Sequence, residues 1–288
     1  MKVWIDGEIV EGDEARIPVT DHGLLYGDGI FEGIRVYRNR VFRLDAHMKR
    51  FEAGARGIAL ELPGGIDAVR AIVLATVRAF GADEAYVRLI ATRGEGSLSV
   101  DPTTCPQPRL ICMVDHVRIY PLDKLSSGLD LVTSSLRRPS PDVLDPRIKS
   151  LNYLNNVLAK LEARQRGADE ALMLNAQGMI AETSVANVFV VRDGVLLTPP
   201  ATDGALEGVT RATVMELATT LGIPVREQTL SRFDFFAAEE AFLTGSGAGI
   251  VPIRSLDARA IGGGRPGPIF EKVRVAFSEA VAEFGTSL

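Results

Sequence analysis

Four groups in this chain of 288 residues have types and spacing that could do chemistry. Lys149 follows Pro146 at the junction between an irregular stretch and a segment in which Leu151, Leu154, Leu158 and Leu161 recur at helical spacing. That periodicity predicts a helix packed on a core, with Lys149 at its mouth. An amine so placed can attack a carbonyl and carry a proton, although a lysine taken alone reads as a solvated surface residue. Glu182 stands at the end of a predicted hairpin strand, followed by Ser184-Val185-Ala186-Asn187, and by itself would also be a surface group. The other two groups suit anions. Gly208-Val209-Thr210-Arg211 opens a predicted helix running to Leu221, where unpaired backbone N–H groups and the positive end of the helix dipole are available. Thr244-Gly245-Ser246-Gly247-Ala248-Gly249 follows a predicted strand at 240–243, and its glycines allow backbone amides to converge on an oxyanion. This second turn departs from a dinucleotide fingerprint, because the third glycine is displaced and no βαβ unit with a distal acid follows.

The elements that must position these groups are legible in outline. Two short β-type runs between Val3 and Val10 are joined by Asp6-Gly7, a strong hairpin signal. Residues 30–37 alternate, so that Phe31, Gly33 and Arg35 share one face and Glu32, Ile34 and Val36 the other. An aromatic, a glycine and an arginine on one face suggest a pocket wall in which the glycine leaves room for a ligand; an edge strand with a solvated Arg35 is the competing reading. Helices are predicted over 45–60, with Met48, Phe51 and Ala55 inward and Arg50 near its first turns, and over 66–80. A strand at 86–93 places Tyr86, Arg88 and Ile90 on one face, and the next strand covers 109–117. The polar loop between them is long, and such loops inside compact domains are usually functional. Residues 120–128 break both periodicities and read as a linker. Beyond it, a strand at 129–134, an irregular stretch at 137–147, the Lys149 segment and turn signals at 175–178 and 192–194 mix antiparallel strands with helices. The glycine-rich 262–268 reads as a surface turn before a final amphipathic helix.

Composition narrows the function classes. Lys and Arg number 32 against 37 Asp and Glu, a net charge of -5, which argues against a nucleic-acid surface because phosphate binding needs clustered excess cations. No apolar run is long enough to cross a bilayer and no basic-then-apolar leader opens the chain, so a soluble cytoplasmic protein with no membrane partner is expected. Cys105 and Cys112 form neither a disulfide framework nor a redox pair, and His22, His47 and His116 lack ligand spacing, so no metal site is expected. A hydrophobic content of 46% supports a large core.

Lys149-Ser150-Leu151-Asn152, the run 179–189 around Glu182 and Gly208-Val209-Thr210-Arg211 resemble, in order and spacing, the class IV, fold-type IV aminotransferases that use pyridoxal 5'-phosphate. The resemblance continues through the run 26–35 and His47-Met48-Lys49-Arg50, and so covers nearly the whole chain. It implies an α+β, mixed α/β architecture of two domains: a small N-terminal α+β domain over 1–120, a linker at 121–128, and a larger mixed α/β cofactor-binding domain over 129–288, with substrate between them. It also implies site roles. Lys149 carries the cofactor as a Schiff base and relays the proton; Glu182 faces the pyridine nitrogen; Arg50, Val209, Thr210, Ser246 and Gly247 hold the phosphate; Leu206 lies under the ring; and Tyr153 bonds the ring oxygen. Gly249 stands where branched-chain members usually carry Glu, which is expected to loosen the support of the second cup.

On the substrate side, Tyr86 and Arg88 facing Phe31, Gly33 and Arg35 resemble the branched-chain amino-acid aminotransferases. The implied activity transfers the amino group between L-Leu, L-Ile or L-Val and 2-oxoglutarate, with Arg88 receiving the side-chain carboxylate of glutamate in an otherwise apolar pocket. Tyr26 and Val100 match positions reached from a neighbouring subunit, implying a homodimer or higher homo-oligomer, and Tyr120 matches a linker tyrosine that closes the pocket. Alternatives with the same cofactor machinery are a D-amino-acid aminotransferase, an (R)-amine transaminase and the lyase that forms 4-aminobenzoate from aminodeoxychorismate. A nucleotide-binding protein using Gly245 to Gly249 is a further alternative, which leaves Lys149 and Glu182 unexplained.

Overall fold

The computed structural model describes residues 1–288, which pack as two compact units. The first comprises Met1–Val117, Ile148–Asn152 and Val281–Leu288, and the second comprises Arg118–Arg147 and Tyr153–Ala280.

The first unit is built on β1 (Lys2–Ile5), β2 (Glu8–Glu11), α1 (His22–Tyr26), β3 (Gly29–Tyr37), β4 (Arg40–Phe42), α2 (Leu44–Gly57), α3 (Gly65–Phe80), β5 (Ala85–Thr92) and β6 (Arg109–Asp115). With a C-terminal strand, Gly285–Ser287, the six strands form an antiparallel sheet in the order Gly285–Ser287, β4, β3, β5, β6, β1, β2. The β1–β2 hairpin turns on Asp6 and Gly7, both at positive φ (49° and 95°), the conformation that matches the strand twist in a two-residue turn. The alternation of β3 decides which side is core: Ile30, Ile34 and Val36 meet Val87, Leu89 and Ala91 of β5 and are covered by Met48 and Phe51 of α2 and Val69, Val73 and Val77 of α3.

The segment Ile148–Asn152 belongs to this unit because its backbone pairs with the start of β3. Phe31 N–H donates to Lys149 O at 2.9 Å, Leu151 N–H donates to Gly29 O at 2.9 Å, and Ile148 packs against the hydrophobic core. The division therefore departs from a contiguous 1–120 and 129–288 split. Arg118–Gly128 groups with the second unit and contains a short helix, α4 (Leu122–Ser127), in place of the irregular linker expected over 121–128; Lys124 of α4 pairs with Asp169 at 2.7 Å.

The second unit continues with β7 (Leu129–Arg137), α5 (Pro141–Leu144), α6 (Leu154–Gln165), β8 (Glu170–Leu174), β9 (Ile180–Thr183), β10 (Asn187–Arg192), β11 (Val195–Thr198), α7 (Val209–Thr220), β12 (Val225–Glu227), α8 (Arg232–Phe236), β13 (Glu240–Gly245), β14 (Gly249–Leu256), β15 (Arg259–Ala260) and α9 (Pro268–Glu283). Its mixed sheet runs β12, β11, β10, β13, β14, β7, β8, β9, with β15 paired to β14. The pairs β11–β12, β14–β7 and β7–β8 are parallel, so crossover segments are needed, and α6 supplies the one between β7 and β8.

Two expectations about the Lys149 region are corrected. Lys149 lies in an extended, strand-paired segment, and α6 begins five residues later at Leu154. The face of α6 that packs is Asn156, Ala159 and Ala163, against Val132, Ala168, Ala171 and Met173, whereas Leu154, Leu158 and Leu161 are exposed at 67%, 42% and 50%. The segment is helical as its period predicts, but the stripe of small residues is the one buried, because it lets α6 approach β7 and β8 closely. No helix is long and apolar enough to cross a membrane. Ala159→Leu is expected to cost about 1–3 kcal/mol by overpacking this contact, measured as a lower midpoint in urea unfolding with unchanged slope; an unchanged midpoint would contradict the packing described.

Candidate active site

In the first unit, Lys149 is placed by the pairing of its own carbonyl with β3, and its Nζ lies 4.5 Å from the centroid of the Phe31 ring. The β3–β5 register sets Gly33 opposite Arg88 and Arg35 opposite Tyr86, so Phe31, Gly33, Arg35, Tyr86 and Arg88 share the face away from the α2–α3 core. The Arg88 guanidinium lies 4.6 Å from the Phe31 ring centroid, and its Nη2 donates to Tyr86 Oη at 3.3 Å. Tyr86 lies across Gly33 so closely that a Cβ there would overlap the phenol oxygen, which is why this position is glycine. Arg35 donates to Val117 O and Glu84, both at 3.3 Å. The buried Nε of Arg35 and the buried Nε of Arg88 have no acceptor within the chain, so each is open to a water or a ligand.

On the opposite, core-facing row of β3 sits a carboxylate. Glu32 accepts from Arg50 Nε at 2.7 Å and Arg50 Nη2 at 2.8 Å, and from His47 Nδ1 at 2.8 Å. Burial acts to raise the Glu32 carboxyl, but the Arg50 guanidinium, then His47, and their hydrogen bonds outweigh it and hold it well below the usual carboxylate range. Burial pushes His47 down, against the opposing pull of Glu32, so the imidazole is neutral and donates through Nδ1.

Tyr26 closes α1 with its hydroxyl on Leu98 O at 2.5 Å, and His22 Nε2 lies 2.8 Å from Ser97 O, so α1 and the long loop before β6 hold one another. Val100, in that loop, is 76% exposed.

In the second unit the buried Glu182, on β9, accepts from three groups: Arg138 Nη2 at 2.9 Å, Asn187 Nδ2 at 3.0 Å and Leu206 N–H at 3.2 Å. Arg138 is itself held by Gly204 O at 3.2 Å and Asn156 Oδ1 at 3.0 Å, and Asn156 donates onward to Ser184 O at 2.8 Å. Asn187 also donates to Leu206 O at 2.9 Å, tying Leu206 to Glu182 on both sides of its peptide. Gly208 caps α7 beside Asn187, where a Cβ would overlap Asn187 Oδ1. The buried Thr210 Oγ1 in the first turn of α7 has no partner, and neither has that of Thr244 at the end of β13. An orphaned hydroxyl beside the amides of Val209 and Thr210 at a helix N-terminus fits a phosphate. Ser246 and Gly247 lie in the turn between β13 and β14, closed by Gly245 opposite Gly249. Gly249 takes φ 72°, a left-handed conformation that suits glycine. Tyr153 is the N-cap residue of α6, with its carbonyl accepting from Val157 N–H at 2.9 Å.

Two further residues are held by bonds within the second unit. Tyr120 belongs to the hydrophobic core of the second unit and donates to the buried Glu170 at 2.8 Å. Arg211, the last residue of the glycine-threonine motif, turns away to Pro199 O at 2.9 Å and to Glu227.

A family model for amino-transferase class IV matches residues 29–256. The chain belongs to the class IV aminotransferases. Among relatives of this aminotransferase, a protein of Methanocaldococcus jannaschii provisionally named a branched-chain-amino-acid aminotransferase is 40% identical over 287 residues, covering 99% of this chain and 98% of that protein. The crystal structure of the Escherichia coli branched-chain amino acid aminotransferase matches with a TM-score of 0.94 at 35% identity, over 97% of this chain and 94% of that one. The T.th. enzyme of the same name, solved with N-(5'-phosphopyridoxyl)-L-glutamate, matches with a TM-score of 0.92 at 34% identity, over 98% and 94%. The mixed α/β, fold-type IV architecture expected from the motifs is thus the one the chain adopts.

Several residues of this aminotransferase's site escaped the sequence. Glu32 carried a signal, since a carboxylate in an otherwise apolar alternating row must have a partner, and His47 and Arg50 at i and i+3 of the next helix are on one face to provide it. Arg138 carried none, standing beside Arg137 at the end of a strand with nothing local to tell the buried arginine from the half-exposed one. Glu32 and His47 together set an acid limit. Both have folded-state values below their unfolded ones, so the unfolded chain binds more protons and stability falls as pH drops, first below about 6.5 through His47 and then below about 4.3 through Glu32. Urea midpoints taken from pH 7 to pH 2 should decline in that order; a flat profile across both ranges would refute it.

Proposed function

We propose that this class IV aminotransferase uses pyridoxal 5'-phosphate to transfer the amino group between L-Leu, L-Ile or L-Val and 2-oxoglutarate. The observation that carries the reading is the shared face of β3 and β5, where the apolar rings of Phe31 and Tyr86 flank an Arg88 whose buried Nε has no acceptor. Such a face accepts an aliphatic side chain against its rings and a glutamate side-chain carboxylate at the guanidinium. The names of the relatives agree, as does the phosphopyridoxyl adduct in the T.th. structure. No observation favours the D-amino-acid, (R)-amine or lyase alternatives.

When bound, the cofactor supplies an electron sink for negative charge at the substrate α-carbon. The chain's own groups do the rest. Lys149 Nζ would hold the cofactor and, once the amino donor has displaced it, would be free to take up the proton lost from the α-carbon. Glu182, oriented by Arg138, Asn187 and the Leu206 amide, keeps the proton on the pyridine nitrogen. Thr210 Oγ1, the amides of Val209 and Thr210, Ser246, Gly247 and Arg50 hold the phosphate. Leu206 supports the ring and Tyr153 its oxygen. Gly33 leaves the space that Tyr86 occupies, and Arg35 completes the face. In a homodimer, Tyr26 and Val100 act on the partner's substrate pocket; the exposure of Val100 and the bonds that brace its loop against α1 support that reading. The acidic charge balance supports a small-molecule enzyme over a nucleic-acid binder.

The deciding measurement is the visible spectrum of the purified holoenzyme during half-reactions with L-leucine, D-alanine and (R)-1-phenylethylamine offered separately. Rapid change with L-leucine alone is expected, and conversion by either of the others in its place would overturn the substrate assignment. Arg88→Ala should lower kcat/KM for glutamate by about 100-fold, the loss of a charge-assisted contact, and that for leucine far less; equal losses would remove Arg88 from this role.

A further inference from the structure

Glu32 is the anomaly of the first unit. Its neighbours in the same row of β3 are Ile30, Ile34 and Val36, all in the core, and its own side chain is 1% exposed. A carboxylate there is costly to bury unless fully paired, and a pair of this kind can usually be replaced by apolar side chains without loss of stability. A buried ion cluster kept in a core layer therefore points to a task beyond holding the fold together.

The geometry supplies the task. Arg50 presents Nε and Nη2 to the two oxygens of Glu32 in a fork, at 2.7 and 2.8 Å, and this bidentate bond fixes the plane of the guanidinium and directs its opposite edge away from the carboxylate. His47, one turn earlier on α2, steadies Oε2 at 2.8 Å. Exposure is graded along the cluster: the side chains of His47 and Glu32 are 0% and 1% exposed, that of Arg50 12%. The carboxylate and imidazole thus lie behind, and the guanidinium lies in front, like a cation mounted on an anionic base. A long, flexible arginine would otherwise lose rotamer entropy on meeting a ligand; mounted in this way it is already ordered.

We propose that Glu32, supported by His47, is a positioning residue for the cofactor phosphate, acting through Arg50. The inference rests on the reading of Arg50 as a phosphate ligand. Since the mounting serves only the phosphate end, it should affect pyridoxal phosphate and leave pyridoxal, which has the same ring and aldehyde but no phosphate, alone.

The test is to titrate apo-protein with pyridoxal phosphate and with pyridoxal, and to compare the ratio of the two dissociation constants in the unaltered chain, Arg50→Gln, Glu32→Gln and His47→Leu, with thermal melting of each apo-protein alongside. Arg50→Gln should collapse the preference for the phosphorylated ligand. Glu32→Gln should reduce that preference by about tenfold or more, as expected for losing one charge-assisted contact, with pyridoxal bound as before. If Arg50→Gln collapses the ratio and Glu32→Gln does not change it, the positioning role is wrong and the role of Arg50 stands. If Arg50→Gln leaves the ratio intact, the underlying reading of Arg50 fails. Parallel loss of both ligands with a lowered melting temperature in Glu32→Gln would make the cluster purely structural and overturn the proposal. Should Glu32→Gln not fold, His47→Leu decides, because it leaves the Arg50–Glu32 fork in place: a smaller loss confined to the phosphorylated ligand upholds the proposal, and an unchanged ratio overturns it.

Discussion

The first unit depends on the pairing of a five-residue segment with the start of one strand. Ile148–Asn152 returns from the far side of a large insertion in the sequence to exchange two backbone hydrogen bonds with Gly29 and Phe31. The placement of Lys149 beside Phe31 rests on this contact. Lys149 extends over the Phe31 ring on one face of β3, and on the other face the next residue along the strand, Glu32, anchors Arg50 and His47. Because successive side chains of a strand point to opposite faces, two adjacent residues of β3, Phe31 and Glu32, meet an amine on one face and a guanidinium on the other with no interference between them.

The second unit solves a different problem, that of keeping a buried carboxylate in one orientation. Glu182 has three donors and so no freedom to turn, and each donor is itself restrained: Arg138 by Gly204 and Asn156, Asn187 by Leu206, and the Leu206 amide by its own loop. The same loop leads through Gly208 into the N-terminus of α7, so the carboxylate and the first turn of that helix are set by one short stretch of chain. The glycine at 208 is the condition for this, since Asn187 occupies the space a side chain would need. The two buried hydroxyls left without partners, on Thr210 and Thr244, are the sign that polar demand in this unit is met by something other than the chain.

Specificity for a substrate with either an aliphatic or a carboxylate side chain demands a surface that is apolar and cationic at once. An arginine lying over aromatic rings meets that demand, because the ring faces attract the guanidinium without neutralising it. Arg88 over Phe31 is of this kind, and contrasts with Arg50 and Arg138, each of which is paired with a buried carboxylate and oriented by it.

The amino-acid sequence by itself determined the Asp6-Gly7 hairpin, the two faces of β3 and β5, the helical period of α6 and, through motif order and spacing, the class IV family. These are properties of a few consecutive residues: a turn that favours positive φ, side chains alternating along a pleat, apolar groups repeating along a helix. Only the tertiary structure decided that Lys149 lies in a strand-paired segment outside the helix, that α6 buries its alanines and exposes its leucines, that Tyr120 and Arg211 are held by bonds within the second unit, and that Glu32, His47 and Arg50, or Glu182 and Arg138, form clusters. The reason is physical. Backbone N–H and C=O groups are the same at every residue, so which distant segments pair through them leaves no mark on either segment, and a buried ion pair is visible only once both partners have been brought out of water to the same place.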